Sequence, residues 1–416
     1  MLPHLQSALG ILVIIAAAWA LSENRRAFPW RTVAVGLLLQ AGLALFLLKV
    51  PMARAGLLAL NGAVDALTGA TRAGTAFVFG TVGGAAPPFA VTNPAGMVSF
   101  AFQILPLVIV ISALSALLWH WRILPVTVKA MAFVLTRLMG IGGAVGLGSA
   151  ATLFLGMAEA PLLVRPYLLR LTRAELFIMM SVGLASVAGT VFFLYASILK
   201  DAVPGALGHI LIASVMSLPA AILIARVMIP GAEGVATESA SDLKYRSSMD
   251  AVTRGTEDGL KIYLQVLAML IVMVALIALG DTILRTLPGV AGAPLSLERI
   301  FGLLFAPVVW LFGVPWDQAA AAGSLMGTKT VLNELVAYLN LAALPPGALD
   351  QRSTLIMVYA MCGFANPGSA GIVIASYGAL VPERRDEVVP LAMRAIVSGT
   401  MASGLTGAMI GLLPVA

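Results

Sequence analysis

The sequence predicts an all-α polytopic membrane protein, and three observations predict it. Of its 416 residues, 60% are hydrophobic and only 11% are charged, against roughly 25% charged in soluble domains. Mean hydropathy is +1.00. The apolar residues fall in long runs, unlike the short alternating segments of a membrane barrel. A soluble fold has no means of hiding that much apolar surface, and a bilayer removes the need.

A spanning helix needs about 20 mostly apolar residues. Eight segments qualify: 5–22, 32–50, 98–119, 176–199, 205–228, 260–280, 354–378 and 388–413. An even number puts both termini on one side. The basic residues gather in particular connections. These are Arg25, Arg26 and Arg31; Arg122, Lys129 and Arg137; Arg165, Arg170 and Arg173; Lys244, Arg246, Arg254 and Lys261; and Arg384, Arg385 and Arg394. The positive-inside rule places these in the cytoplasm. Both termini then fall outside a multi-pass inner (cell) membrane protein. The net charge of +6 is read as this loop bias, so no nucleic-acid partner is expected. The first apolar run lacks a basic leader and a cleavage site and reads as a retained helix.

Two stretches, 138–166 and 310–345, are apolar but interrupted by Gly, Pro and charge. Each is too long for a loop and too broken for one span, which predicts a re-entrant hairpin. Non-helical backbone at that depth needs protein or a water-filled cavity around it. Each is followed by a span interrupted by small polar residues, "GLASVAGT" (183–190) and "CGFANPGSAG" (362–371). A hairpin plus a broken helix, occurring twice from opposite sides, predicts an inverted repeat with a binding site near the midplane. Segments 57–70, 123–138 and 295–312 read as interfacial helices, 74–96 as an outer Gly/Pro-rich loop and 230–262 as a polar linker.

Ionisable residues at membrane depth mark function by default. Glu159 lies near the first hairpin tip, Asn333 and Glu334 near the second. Asn366 and Ser369 sit in the second broken helix, Ser186 and Thr190 in the first. Carboxylates accept from hydroxyl and N–H groups, and amides both donate and accept, so the set suits a small polar solute. Carbonyls freed at helix breaks suit a coupling cation. A competing reading makes Glu159–Arg165 and Glu334–Lys329 structural ion pairs, and Asn366 and Ser369 helix–helix glue. Enzyme signatures are weak. "GSLMGTKT" (323–330) has the wrong spacing for a phosphate loop. Asp281 closes a span without an evident partner. The single Cys362 excludes an internal disulfide, and the three histidines are far apart.

The motifs "GxxEAPLLVRP", "GLASVAG", "GVPW", "GxKTVxNExVAY" and "CGFANxxSxxI", in this order, resemble the concentrative nucleoside transporter family. The likeness extends from "SENRRAFPWRTV" to "AIVSGTMASGLTGAMIG". It implies a homotrimer in the lipid membrane and cation-coupled nucleoside import by an elevator movement, with a sodium ion or proton as the coupling ion and no other cofactor. It implies five regions. Residues 1–122 hold N-terminal spans, mainly scaffold. Residues 123–200 hold the first repeat and 201–294 a span, the linker and a scaffold span. Residues 295–378 hold the second repeat, and 379–416 the last span. Glu334, Asn366 and Ser369 match the ribose-binding residues, with Asn333 beside them. Phe364 matches a residue beside the base, and Glu159 the base-side carboxylate. Thr152, Leu155, Ser186 and Val187 match the sodium site.

Two departures stand out. The family usually reads Gly-Gln-Thr/Ser-Glu at the first hairpin tip, whereas this chain reads Gly156-Met157-Ala158-Glu159. Both polar base contacts are gone, although Met packs well against a ring. The expectation is a normally read sugar and an altered base preference. Thr152 stands where sodium-coupled members commonly have Asn, which leaves sodium and proton coupling both open. The alternatives are a paralogous transporter of another polar solute and a non-transporting intramembrane receptor or enzyme.

Overall fold

The computed structural model describes residues 3–91, 97–231, 245–289 and 294–414, with only the backbone of residues 3, 51–61 and 269. The described residues contain helices and no strand. Helices α1 (Pro3–Ala20) and α2 (Trp30–Lys49) lead into α3 (Pro51–Phe79). The sequence reading gave α3 only 57–70 and made 74–96 a loop, but the helix continues to Phe79. Isolated glycines cost a helix about 1 kcal/mol each without ending it, and the next proline is Pro87. Residues 92–96 of that loop lie outside the described residues. A π-helical turn (Phe100–Ile104) precedes α4 (Leu107–His120), so the predicted span 98–119 changes winding ahead of Pro106.

Next come α5 (Ile123–Met139), α6 (Gly143–Leu155), α7 (Ala160–Leu163), α8 (Arg165–Leu168), α9 (Arg173–Ala185), α10 (Gly189–Leu199) and α11 (Ala206–Met228). After it comes α12 (Ser248–Leu284), whose N-terminus is capped by Ser247 Oγ accepting from Asp250 N–H at 3.1 Å. Helix therefore claims residues 248–262 of the predicted linker 230–262; its residues 232–244 lie outside the described residues. Beyond α12 come α13 (Leu297–Phe312), α14 (Ala319–Val331), α15 (Glu334–Ala342), α16 (Gln351–Met361), α17 (Pro367–Leu380) and α18 (Arg385–Leu412). The element order from α13 to α18 matches that from α5 to α11: a helix, a helix–turn–helix hairpin, a broken helix and a long helix.

The hairpin expected at 138–166 is α6 with α7 and α8, and the one expected at 310–345 is α14 with α15, residues 310–312 belonging to α13. The return arm of the first is split in two. Pro166 lacks an N–H and crowds the carbonyl four residues back, so α7 ends at Leu163 and a new turn starts at Arg165.

Hydrogen bonds fix which end of the bundle each connection occupies. Glu23, between α1 and α2, pairs with Arg173 of α9 at 3.0 Å and with Arg394 of α18. Glu23 N–H donates to Met228 O at the end of α11 (2.9 Å), and Arg226 donates to Gly140 O at the base of the first hairpin (2.7 Å). Arg384 donates to the Leu168 and Leu171 carbonyls at 2.8 and 2.7 Å. These basic connections share one end. At the other end Arg352 donates to Gly313 O (2.5 Å), at the base of the second hairpin, and to Gly411 O (2.6 Å) of α18. His4 contacts Leu412 O there at 3.0 Å. Both ends of the described chain thus lie together, opposite the basic loops, and the two hairpins enter from opposite ends.

Six helical stretches among the described residues are long and apolar enough to cross a membrane: 30–49, 100–120, 173–199, 206–228, 248–284 and 382–412. The remaining predicted spans are met by α1 and by α16 with α17, the latter interrupted at 362–366. Within the bundle α11 is almost wholly buried, packed by α2, α9 and α18. By contrast α12 has few buried residues and lies along α4. Asp281, left without a partner by the sequence reading, has one: its Oδ1 accepts from Leu297 N–H at 2.8 Å and joins the end of α12 to the start of α13.

Candidate functional site

The two broken helices cross at their breaks. Phe364 N–H donates to Ser186 O at 3.3 Å. Gly363 makes the crossing possible, since a Cβ there would sit 2.6 Å from the Ala185 carbonyl oxygen. The hairpin tips reach the same level from opposite ends. The first tip turns at Gly156, whose φ of +90° is disfavoured for residues with a Cβ. The Ala158 carbonyl is held by Ser376 Oγ of α17, donating at 2.8 Å.

Between tips and breaks lies a cavity of about 320 Å³, at the small end of the range for small-molecule sites. Every residue assigned to solute binding from the sequence lines it: Met157, Ala158, Glu159, Asn333, Glu334, Phe364, Asn366 and Ser369. Thr190 lines it too, whereas its neighbour Ser186 is fully buried behind the wall. Residues that the sequence reading passed over complete the lining, among them Tyr195 of α10 and Ile262, Gln265 and Val266 of α12.

The second hairpin and second break present two helix N-termini. Asn333 Oδ1 caps α15 by accepting from Val336 N–H, and Asn366 Oδ1 caps α17 by accepting from Ser369 N–H, each at 2.9 Å. Capping takes one lone pair of each amide oxygen. The Asn366 Nδ2 donates to Glu334 Oε2 at 3.4 Å. Glu334 opens α15, where the positive end of the helix dipole favours a carboxylate, and its Oε1 accepts from Tyr195 Oη at 2.6 Å. The result is an oriented, buried acceptor in a cavity that Ser369 also lines, suited to a solute hydroxyl.

The ion pairs of the competing reading are not made. Among the described residues no ion pair within 4.0 Å joins Glu159 to Arg165 or Glu334 to Lys329; Lys329 is fully buried and its Nζ donates to Ser403 Oγ at 3.5 Å. Leu155, Met157, Val191, Phe364 and Ile372 give the cavity an apolar lining that suits a flat ring.

The four residues assigned to sodium come together at the end of α6 and the first break. Gly189 packs against the Leu153 and Phe154 carbonyls, and Gly156 against Ala188. The hydroxyls of Thr152 and Ser186 donate to the carbonyls four residues back, Gly148 O and Val182 O, each at 2.9 Å. Their lone pairs remain for a cation, beside carbonyls that the C-terminus of α6 leaves without helical donors. Leu155 and Val187 have apolar side chains and offer only main-chain oxygens. This all-oxygen set fits a small monovalent cation. Among the described residues there is no cluster of His, Cys, Asp and Glu that could hold a metal ion.

Comparisons with known proteins place the chain in a family. The family models described as Na+ dependent nucleoside transporter N-terminus and C-terminus match residues 9–82 and 209–411, and one described as nucleoside recognition (Gate) matches 101–202. The chain is 36% identical over 411 residues to the Uncharacterized transporter YutK of Bacillus subtilis, covering 97% of this chain and 98% of that one. It is 33% identical over 412 residues to the Nucleoside permease NupC of Helicobacter pylori, covering 98% and 97%. The structure of CNTnw in an inward-facing substrate-bound state superposes with a TM-score of 0.87 at 35% identity, covering 98% of each chain. CNTnw in an outward-facing state gives 0.88 at 34%, covering 99% of this chain and 98% of that one. Matched along nearly its whole length, the chain belongs to the concentrative, Na+ dependent nucleoside transporter family.

Proposed function

We propose that the chain is a sodium-coupled symporter that imports nucleosides across the inner membrane by alternating access. As a member of its family it is a multi-pass membrane transporter and not an enzyme. Glu334, Asn366 and Ser369 hold the ribose hydroxyls, with Asn333 beside them. Phe364 and Met157 border the base, next to Ala158 and Glu159. Sodium binds Thr152, Leu155, Ser186 and Val187, one turn from the first hairpin tip. Each solute orders elements that the other needs, which is a coupling free energy between sites.

The observation that carries this reading is the cavity itself. Two hairpin tips and two helix breaks converge on a buried carboxylate whose two oxygens are oriented by Tyr195 and Asn366. Eight spans, with both hairpins re-entrant and both termini outside, accord with the grouping of the basic loops at one end. The hairpins and broken helices move as a unit against α4 and α12, elevator fashion, within a homotrimer. In this reading α1 and α2, which pack on α18 and α11, travel with the hairpins rather than with the scaffold. Met157 and Ala158 make the base end a packing surface at the tip, which changes base preference relative to family members with polar residues there.

Titration calorimetry of the purified protein tests the assignment. A nucleoside panel, with and without sodium, is expected to give sodium-enhanced binding that Glu334→Ala abolishes. Absence of any nucleoside binding, or full binding by Glu334→Ala, contradicts it.

A further inference from the structure

We propose that Gln265 of α12 reads the hydrogen-bonding edge of the base, in place of the polar groups missing from the hairpin tip. This rests on the nucleoside reading above.

Most polar groups around the cavity are committed elsewhere. Both Glu334 oxygens accept hydrogen bonds, from Tyr195 and Asn366. The oxygens of Asn333 and Asn366 cap helices. On the nucleoside reading these serve the sugar. At the first hairpin tip, Met157 and Ala158 offer no polar side chain, and the Ala158 carbonyl already accepts from Ser376. Glu159 remains, but an ionised carboxylate only accepts. A nucleobase edge presents donors and acceptors side by side, and a carboxamide is the side chain that matches adjacent donor and acceptor, as in the bidentate pairing of Gln with adenine.

Gln265 is that carboxamide. Residues 262, 265, 266 and 270 recur at helical spacing along one stripe of α12 and line the cavity, and Gln265 is the one polar residue that α12 contributes among the described residues. Gln265 is exposed, and its amide makes no hydrogen bond to another described residue, so it is open to a ligand in the cavity. Ile262 and Val266 flank it, so a ring seated on the apolar wall meets the amide along its edge. Helix α12 lies along α4, tied there by Tyr263 Oη donating to Ala101 O at 3.3 Å and Trp121 Nε1 to Ser248 Oγ at 3.2 Å. The amide therefore comes from a part of the fold distinct from the hairpins that hold the sugar.

The test compares nucleosides with ribosyl benzimidazole, which keeps ring and sugar but lacks the edge groups, by calorimetry on the full-length protein. The wild type is expected to favour its preferred nucleoside over the benzimidazole riboside by roughly tenfold, the scale of one or two net hydrogen bonds. Gln265→Leu and the near-isosteric Gln265→Met should each bring that ratio close to one. Their preference for ribose over 2′,3′-dideoxyribose should not change. A wild-type ratio near one, or a ratio retained in both variants, overturns the role of Gln265 while leaving the nucleoside reading standing. Failure of the wild type to bind any nucleoside overturns the nucleoside reading itself.

Discussion

Tyr195 and Glu334 stand 139 residues apart in sequence, yet the phenolic oxygen of one lies 2.6 Å from Oε1 of the other. The hydroxyl fixes the carboxylate so that its remaining lone pairs face the cavity. A hydrogen bond to a charged group contributes about 1.5–3 kcal/mol. Tyr195→Phe should therefore weaken nucleoside binding by roughly tenfold or more and leave the overall fold intact. Calorimetry should show the loss for ribosides, with little change in the residual binding of 2′,3′-dideoxy analogues. Equal losses for both would assign Tyr195 a packing role only.

The crossing of the broken helices depends on Gly363. A methyl group there meets the Ala185 carbonyl, and overpacking of this kind costs about 1–3 kcal/mol. Gly363→Ala should lower the melting temperature and impair binding. Gly371, in α17, has open space where its Cβ would go, so Gly371→Ala should leave the melting temperature unchanged or raise it. Equal behaviour of the two variants would remove the crossing from the account.

Sodium dependence should trace to Thr152 and Ser186. Replacing one oxygen ligand raises the sodium concentration that half-saturates nucleoside binding. Thr152→Val and Ser186→Ala should each shift it upward about tenfold or more while affinity at saturating sodium stays within a few-fold. Variants with an unaltered sodium requirement would move the ion elsewhere.

Much of this architecture is legible in the sequence because the bilayer makes interruptions conspicuous. Gly, Pro and charge inside an apolar run mark Glu159, Glu334, Ser186 and Asn366 without further help, and all four lie at hairpin tips or helix breaks. Tyr195 carries no such mark. It sits in "TVFFLYASIL" (190–199), where a tyrosine reads as packing, and only the fold brings its hydroxyl to Glu334. Gln265 is equally silent, one amide inside the long helix α12. The length of α3 is obscured by glycines that mimic a loop, and the split in the first hairpin follows from Pro166, which in the sequence counts only as one of the interruptions of the stretch 138–166.

Glu23 joins the connections at the basic end. The hydrogen bond and charge of Arg173, with the charge of Arg394, hold its carboxyl below the usual carboxylate range. A group depressed in the folded state stabilises fully above its unfolded pKa, about 4.3 for glutamate, and loses that contribution as pH falls through the folded value. The wild type should therefore melt above Glu23→Gln at pH 7, with the gap closing in the acid range. The pairs are partly exposed, so each contributes on the order of 0.2–1 kcal/mol. A gap independent of pH would mean that charge is not what Glu23 supplies.

Flux tests the central claim most directly. Purified protein in sealed vesicles should accumulate labelled nucleoside against its gradient when an inward sodium gradient is imposed. Without sodium, an inward proton gradient should drive none, and Glu334→Ala should accumulate none under either gradient. Accumulation driven by protons alone would contradict sodium coupling, and nucleoside binding without accumulation under either gradient would contradict transport.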